Sequence, residues 1–243
     1  MRYIATILLF TCALISCKKQ SESIVVTDIK DYYPLHVGRV LTYRLDSTRV
    51  SNFVFSTAYY LEKDSVVGTF VDAQGRTAYI MNRFVTDTLL SQPYQFAESY
   101  YVVYDKNKIE YVDGANRRFI KLVNPVSVNT TWSGNSYLED SIQIRITDNT
   151  NYKGWTYQYT SVNQSFNVGS ASFPNTCSIL QAADSSGVFN PNFLSYKTYS
   201  TEVYAKGLGL IYKEFMDYFY QTTPSPAYED GSFGIKMKLV NYK

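Results

Sequence analysis

Residues 100–113 read YYVVYDKNKIEYVD, and this stretch decides the class of the fold. It contains two runs rich in aromatic and β-branched residues, 101–104 and 109–112, separated by the polar loop 105–108. Residues of these types favour the half-buried surface of a strand. A short polar loop between two such runs joins antiparallel neighbours. The stretch therefore predicts a β-hairpin.

The same pattern recurs near both ends of the chain and in its middle. Apolar and polar side chains alternate at 41–45 (LTYRL), 142–146 (IQIRI) and 235–239 (IKMKL). Because successive strand residues point to opposite faces, each run places one face in a core and the other in water. Turn-forming residues separate these runs throughout the chain. The pattern predicts a single antiparallel all-β domain with at most one or two short helices, and 93–99 is the segment that could hold one.

The composition of the 243 residues supports this class and excludes several others. The chain has 24 Tyr and 14 Phe, which favour strands over helices. A hydrophobic share of 45% and a charged share of 18% argue against disorder and against a polytopic membrane protein. One histidine rules out a histidine-based metal cluster, and 23 basic against 21 acidic residues give no surplus for nucleic acid. We expect no cofactor, no metal and no nucleic-acid partner.

Residues 1–17, MRYIATILLFTCALISC, have the layout of a secretory signal peptide. The apolar run 3–15 is shorter than the roughly 20 residues that a membrane-spanning helix needs. The last four residues, LISC at 14–17, resemble the bacterial lipobox. The resemblance implies cleavage before Cys17 and acylation of that residue, which then anchors the protein to a membrane. The alternative is an ordinary secretory peptide with an incidental cysteine.

This resemblance divides the chain into three parts. They are a signal peptide (1–16), a lipid-anchored flexible tether (17–30) and a β-rich domain (31–243). The tether is polar and lacks periodicity, as linkers do. Lys18 and Lys19 stand where an aspartate would resemble an inner-membrane retention signal, so the resemblance favours the outer membrane. Whether the domain faces the periplasm or the cell surface stays open.

Two longer motifs carry a second resemblance. They are YYPLHVGRVLTY at 32–43 and VYAKGLGLIYKE at 203–214. Together they resemble paired signatures of uncharacterised Bacteroidota lipoproteins. The resemblance brings no known activity, substrate or catalytic residue. It implies a curved antiparallel sheet or half-barrel, similar to periplasmic lipoprotein carriers, with a β-sandwich as the alternative.

No recognised catalytic or metal-binding motif occurs in the sequence. Two pairs of adjacent acids, Glu-Asp at 139–140 and at 229–230, are candidates for paired carboxylates. Neighbours on a strand point to opposite faces, however, which favours surface turns for both pairs. Cys177, the one thiol left in the mature domain, is interpreted as a small buried residue, and His36 as a loop residue. We predict no catalytic residue.

Trp155, Tyr157 and Tyr159 are spaced by two and therefore share one face of a predicted strand. Such a row can form a platform for a sugar ring or an apolar ligand. The alternative, which we favour, is that the three rings fill the core. They are the candidate ligand-binding residues, and Cys17 is the candidate lipid-attachment site.

These observations favour a lipid-anchored, non-enzymatic module of the cell envelope. It is expected to bind an envelope protein or a small apolar or glycan ligand. The first alternative is a structural or accessory subunit of an envelope complex. The second is a carbohydrate-active enzyme that uses paired carboxylates. The sequence leaves the oligomeric state open.

Overall fold

The computed structural model describes residues 27–142, 152–186, 192–222 and 227–243. Within these ranges it contains one helical turn, α1 (Ile29–Tyr32), a short 3-10 helix (Tyr152–Gly154) and thirteen strands. The strands are β1 (Val40–Ser51), β2 (Val54–Val71), β3 (Thr77–Asp87), β4 (Gln95–Asp105), β5 (Lys108–Val112), β6 (Arg118–Val123), β7 (Thr131–Ser133), β8 (Thr156–Val168), β9 (Ala171–Ser185), β10 (Ser195–Ala205), β11 (Gly209–Gln221), β12 (Ala227–Tyr228) and β13 (Phe233–Tyr242).

The strands form one antiparallel sheet, which confirms the predicted all-β class. Twelve of them lie in the order β6-β5-β4-β3-β2-β1-β13-β11-β10-β9-β8-β7, and β12 pairs with β11. Consecutive strands are neighbours on both sides of β13, as short hairpin connections produce. The predicted hairpin at 100–113 is confirmed, since β4 and β5 pair up to Asp105 and Lys108.

The sheet curves until its two edge strands almost meet. The backbone N–H of Ile120, on β6, donates to the carbonyl of Gly134, one residue beyond β7, at 2.7 Å. The indole of Trp132, on β7, donates to the carbonyl of Ile120 at 2.9 Å. A Cβ at Gly134 would lie 2.3 Å from the ring of Tyr157, so only glycine fits at this closure. The predicted curved sheet is therefore a nearly closed, barrel-like sheet, and the alternative sandwich is wrong.

The inner face of the barrel is the apolar face that the sequence predicts. Leu41 and Tyr43 on β1 are buried, as are Met237 and Leu239 on β13. Arg44, which follows Tyr43 and points to the opposite face of β1, is exposed. Helix α1 contacts both β5 and β11, which are far apart in the sheet order. It therefore lies across one end of the barrel.

One predicted element is wrong. Residues 93–99 were expected to hold a short helix, but Gln95 begins β4. Phe96 pairs with Phe84 on β3, and their rings are in edge contact with centroids 5.9 Å apart. Pairing with a neighbouring strand therefore outweighs the weak local preference for a helix.

The folded body begins earlier than the sequence pattern indicates. Asp28 caps α1, because its side chain accepts a hydrogen bond from the backbone N–H of Lys30 at 3.0 Å. Ile29 and Tyr32 are almost completely buried in the core. The body thus includes Ile29 and Lys30, which the polar composition places in the tether. A single helical turn is too short to show a periodicity.

Several predictions lie outside the described residues. They are the signal peptide at 1–16, the acylated Cys17 and most of the predicted strand at 142–146. Ile142 itself is described and lies in a turn, where its N–H donates to the carbonyl of Glu139 at 3.2 Å. No helix in the described ranges is long and apolar enough to cross a membrane.

Candidate functional site

The interior of the barrel holds a cavity of about 280 Å³. This volume is close to the lower end of small-molecule sites, which span roughly 300–1,000 Å³. Its wall combines aliphatic and aromatic side chains with charged ones. Charged side chains rarely lie inside proteins unless they are paired. The charged lining residues discussed below are Arg39, Glu62, Asp64, Arg83, Lys121, Glu202 and Lys213.

The two signature motifs meet at the end of the cavity near α1. Arg39 donates hydrogen bonds to the carbonyls of Gly207 and Leu208, at 3.3 and 2.5 Å. The hydroxyl of Tyr43 donates to the carbonyl of Leu210 at 3.0 Å. Gly207 lies in the turn between β10 and β11 with a φ of +79°, a conformation that favours glycine. The motifs therefore form one structural unit, although they are far apart in the sequence.

Arg83 on β3 joins two acids at the cavity wall. Its Nε and Nη2 donate to the two oxygens of Asp64, each at 2.9 Å, and its Nη1 donates to Glu98 at 2.7 Å. The hydroxyl of Tyr100 also donates to Asp64, at 2.8 Å. Burial alone would lower the pKa of Arg83, but the Asp64 carboxylate outweighs burial and raises it well above its usual value. The Arg83–Asp64 ion pair is therefore bidentate, which is a strong arrangement of charged hydrogen-bonding groups.

Glu62 lies two residues before Asp64 on the same face of β2 and is buried. The Nε of Arg83 is 3.0 Å from its Oε1, but the single Nε hydrogen is directed at Asp64. No donor among the described residues hydrogen-bonds to this oxygen. Burial raises the pKa of Glu62 to about 7, with Arg83 opposing the shift and Asp64 adding to it. The carboxyl is therefore partly protonated near neutral pH.

Glu202 on β10 is the centre of a second cluster. It accepts a hydrogen bond from Lys121 on β6 and another from the hydroxyl of Tyr204, both at 2.7 Å. The Nζ of Lys213 lies 3.6 Å from the oxygen that Lys121 already occupies. Burial alone would raise the pKa of Glu202, but the two lysines and these hydrogen bonds lower it to about 2. Glu202 is therefore an ionised carboxylate with both oxygens engaged.

Two more buried side chains reach the cavity with an unpaired nitrogen. Ser200 donates to the Oε1 of Gln181 at 2.7 Å, which leaves the Nε2 of Gln181 without a partner among the described residues. The Nε of Arg39 is likewise unpaired within the described chain. A buried polar atom without a partner costs about 1–3 kcal/mol. Arg39 and Gln181 therefore each place one such nitrogen in the wall of the cavity.

Of the three predicted aromatic residues, Tyr157 and Tyr159 lie on one face of β8, whereas Trp155 lies one residue before that strand. Tyr157 lines the cavity, and its hydroxyl donates to Asn135 at 2.8 Å. Tyr159 is fully buried, and its hydroxyl donates to the carbonyl of Val123 at 2.9 Å and so ties β8 to β6. Trp155 packs on Phe215, with ring centroids 6.3 Å apart. Their role in binding a ligand stays a prediction.

The other candidates from the sequence lie away from the cavity. Asp140 is exposed and pairs with Lys153 at 3.0 Å, and Asp230 accepts a hydrogen bond from the backbone of Phe53 at 2.8 Å. Cys177 is buried, and burial raises the pKa of its thiol. His36 is exposed in a loop, as predicted. No group of three acidic, histidine or cysteine side chains within the described ranges could hold a metal ion.

The charged cavity residues were missed at the level of sequence, although a signal for one pair exists. Glu62 and Asp64 alternate with Lys63 and precede Val66, which is buried on the same face. Acids at inward positions of a strand are unusual and mark a candidate site. Lys121 and Glu202 carry no such signal, because their pairing is visible only in the folded chain.

Comparison with known proteins assigns neither a family nor a function to this chain. No family model matches the chain, and no curated protein matches it. One solved structure, a "putative exported protein with YmcC-like fold" from Bacteroides fragilis, has 9% sequence identity and a TM-score of 0.40. The match covers 86% of this chain and 97% of that chain. Similarity at this level transfers no function.

Proposed function

We propose that this protein is a non-enzymatic, lipid-anchored module of the cell envelope that binds a small molecule inside its barrel. The supporting observation is the cavity of about 280 Å³, whose lining includes the buried residues Glu62 and Gln181. Each of them has a side-chain atom without a hydrogen-bond partner from the described residues. A ligand that hydrogen-bonds to both would remove two desolvation penalties at once. A purely structural subunit needs no such cavity.

The ion pairs support binding over catalysis by paired carboxylates. Glycoside hydrolysis needs one protonated acid and a second carboxylate that is available as a base or nucleophile. Glu62 has the raised pKa of such an acid. Both oxygens of Asp64 accept hydrogen bonds from Arg83, and those of Glu202 accept them from Lys121 and Tyr204. Since these oxygens are held in contacts within the protein, the arrangement supports binding over the second role.

The cavity predicts a co-purifying small molecule. We expect native mass spectrometry of the full-length protein in detergent to detect a ligand that denaturation releases. Met237 is buried and lines the cavity, so Met237→Trp fills part of that space and should lower the bound fraction at least about tenfold. Tyr242→Trp, at an exposed position of the same strand, is the matched control. Equal ligand content in both variants, or none in the wild type, contradicts the proposal.

The lipid anchor is a separate part of the proposal and rests on the lipobox resemblance at Cys17. We expect Cys17→Ala to abolish labelling by a palmitate analogue in cells, because acylation requires that side chain. Cys177→Ala is the control, since its thiol is buried and should leave labelling unchanged. Labelling that survives in Cys17→Ala excludes this anchor. Fractionation of the labelled protein tests its predicted place in the outer membrane.

A further inference from the structure

We propose that the ligand of this cavity is a small carboxylate with an apolar body. The inference rests on the proposed function and specifies its ligand. It follows from a comparison of the hydrogen-bond donors and acceptors that the cavity leaves unused.

Each oxygen of Asp64 and of Glu202 already accepts a hydrogen bond from within the protein. Both oxygens of Asp64 receive hydrogen bonds from Arg83, and one of them also receives the hydroxyl of Tyr100. Both oxygens of Glu202 are engaged by Lys121 and Tyr204. A cationic ligand would therefore have to compete with contacts made within the protein.

The unused groups are mostly donors, and two of them flank the same strand. Gln181 on β9 is held by Ser200 of β10, with its Nε2 unpaired among the described residues. Glu202 lies two residues after Ser200 on the same face of β10, and Lys213 on β11 is its register partner. Its ammonium has only the 3.6 Å contact with an oxygen that Lys121 occupies. One carboxylate lying over β10 can accept from both side chains.

The charges that line the cavity also favour an anion. Arg83 and Lys121 each have a carboxylate partner of their own, whereas Lys213 shares the partner of Lys121. The side chain of Arg39 contacts carbonyl oxygens, with no ion pair among the described residues. Glu62 is buried, and its raised pKa makes it a partial proton donor near neutral pH. The ammonium of Lys213 and the amide of Gln181 match the single charge of a carboxylate.

The rest of the ligand is predicted to be apolar. Lys213 pairs with Met237 on β13, and Phe215 on β11 pairs with Ile235. Leu45 on β1 lies opposite Met237 and lines the same space. An aliphatic or aromatic body would bury its surface against this wall, while its carboxylate lies over β10.

The test compares three probes that share one apolar body and differ in the head group. They are 3-phenylpropanoate, 3-phenylpropanol and 3-phenylpropylammonium, titrated calorimetrically into the full-length protein in detergent at neutral pH. We expect the carboxylate to bind at least about tenfold more tightly than the alcohol, because charge-assisted hydrogen bonds exceed neutral ones. The ammonium probe should bind most weakly.

Two variants connect the preference to the proposed donors. Lys213→Met and Gln181→Leu should each weaken binding of the carboxylate about tenfold and leave the affinity for the alcohol unchanged. Lys197→Met, at an exposed position of β10, is the control and should change neither affinity. A change confined to the carboxylate cannot come from general loss of structure.

The outcomes separate this inference from the proposed function. If the alcohol or ammonium probe binds as tightly as the carboxylate and Met237→Trp blocks it, the cavity binds ligands but the carboxylate inference is wrong. If no probe binds, the carboxylate inference is also overturned, and the co-purification experiment decides on the proposed function independently.

Discussion

Replacing Arg83 by methionine is expected to lower the free energy of unfolding by about 3–5 kcal/mol, because it removes one partner of a buried ion cluster. The side chain of Arg83 compensates Asp64 and Glu98 directly and lies 3.0 Å from Glu62. Methionine fills most of the volume but leaves Asp64 and Glu98 without the counter-ion that Arg83 supplies. Denaturant unfolding followed by circular dichroism measures the effect.

The matched control for this prediction is Arg44→Met. Arg44 pairs with Asp46 at 2.9 Å, but its side chain is 48% exposed. An exposed pair contributes about 0–1 kcal/mol, so this variant should stay close to the wild type. Adding Asp64→Asn to Arg83→Met should recover part of the loss, since it removes one uncompensated charge. Similar losses in the free energy of unfolding for Arg83→Met and Arg44→Met would show that the interior cluster does not stabilise the fold by the expected amount.

Glu62→Gln is expected to remove a pH dependence of stability between about pH 4.5 and 7. The pKa of Glu62 rises from 4.5 to about 7 on folding, so the native state holds a proton that the unfolded chain releases. The wild type therefore loses stability as the pH rises through this window. The difference of roughly 2.5 units corresponds to about 3 kcal/mol, and Glu62→Gln should exceed the wild type by that amount above pH 7.

Four charged groups face Glu62 and contribute to its pKa, and therefore to this pH dependence of stability. They are Arg83 on β3, Asp64 on β2, Lys213 on β11 and Glu98 on β4. Glu202 acts in the opposite direction and at lower pH, because its pKa falls from 4.5 to about 2 on folding and its stabilisation is lost as the pH falls through that range. Glu139→Gln, at an exposed turn, is the control. Parallel stability curves for Glu62→Gln and the wild type would refute the prediction.

The local part of the fold was accessible from the sequence. Period-two alternation located β1 and β13, with Leu41, Tyr43 and Met237 on the inner face, and turn residues located the hairpin of β4 and β5. The start of β4 was not accessible, because Phe96 is extended only through its pairing with Phe84. Helix α1 was missed, since one turn capped by Asp28 shows no periodicity.

The candidate site was only partly accessible. Tyr157 was identified as an inward-facing ring, and it does line the cavity. The adjacent acids at 139–140 and 229–230 are candidates for paired carboxylates because they are neighbours in the sequence. They lie in turns away from the cavity. The cavity acid Glu202 instead finds its partner Lys121 at a separation of 81 residues. Such a partner cannot be read from neighbouring positions.

Alternation and turn chemistry act over a few residues, so the class of the fold and the inward face of several strands follow from the amino-acid order. The near closure of the sheet depends instead on a long-range contact, the one between Ile120 and Gly134. Closure brings β6 beside the strands that follow β7, and so places Lys121 against Glu202. The charges of an interior acquire their partners, and their pKa values, from distances that strand register and curvature set across the whole chain.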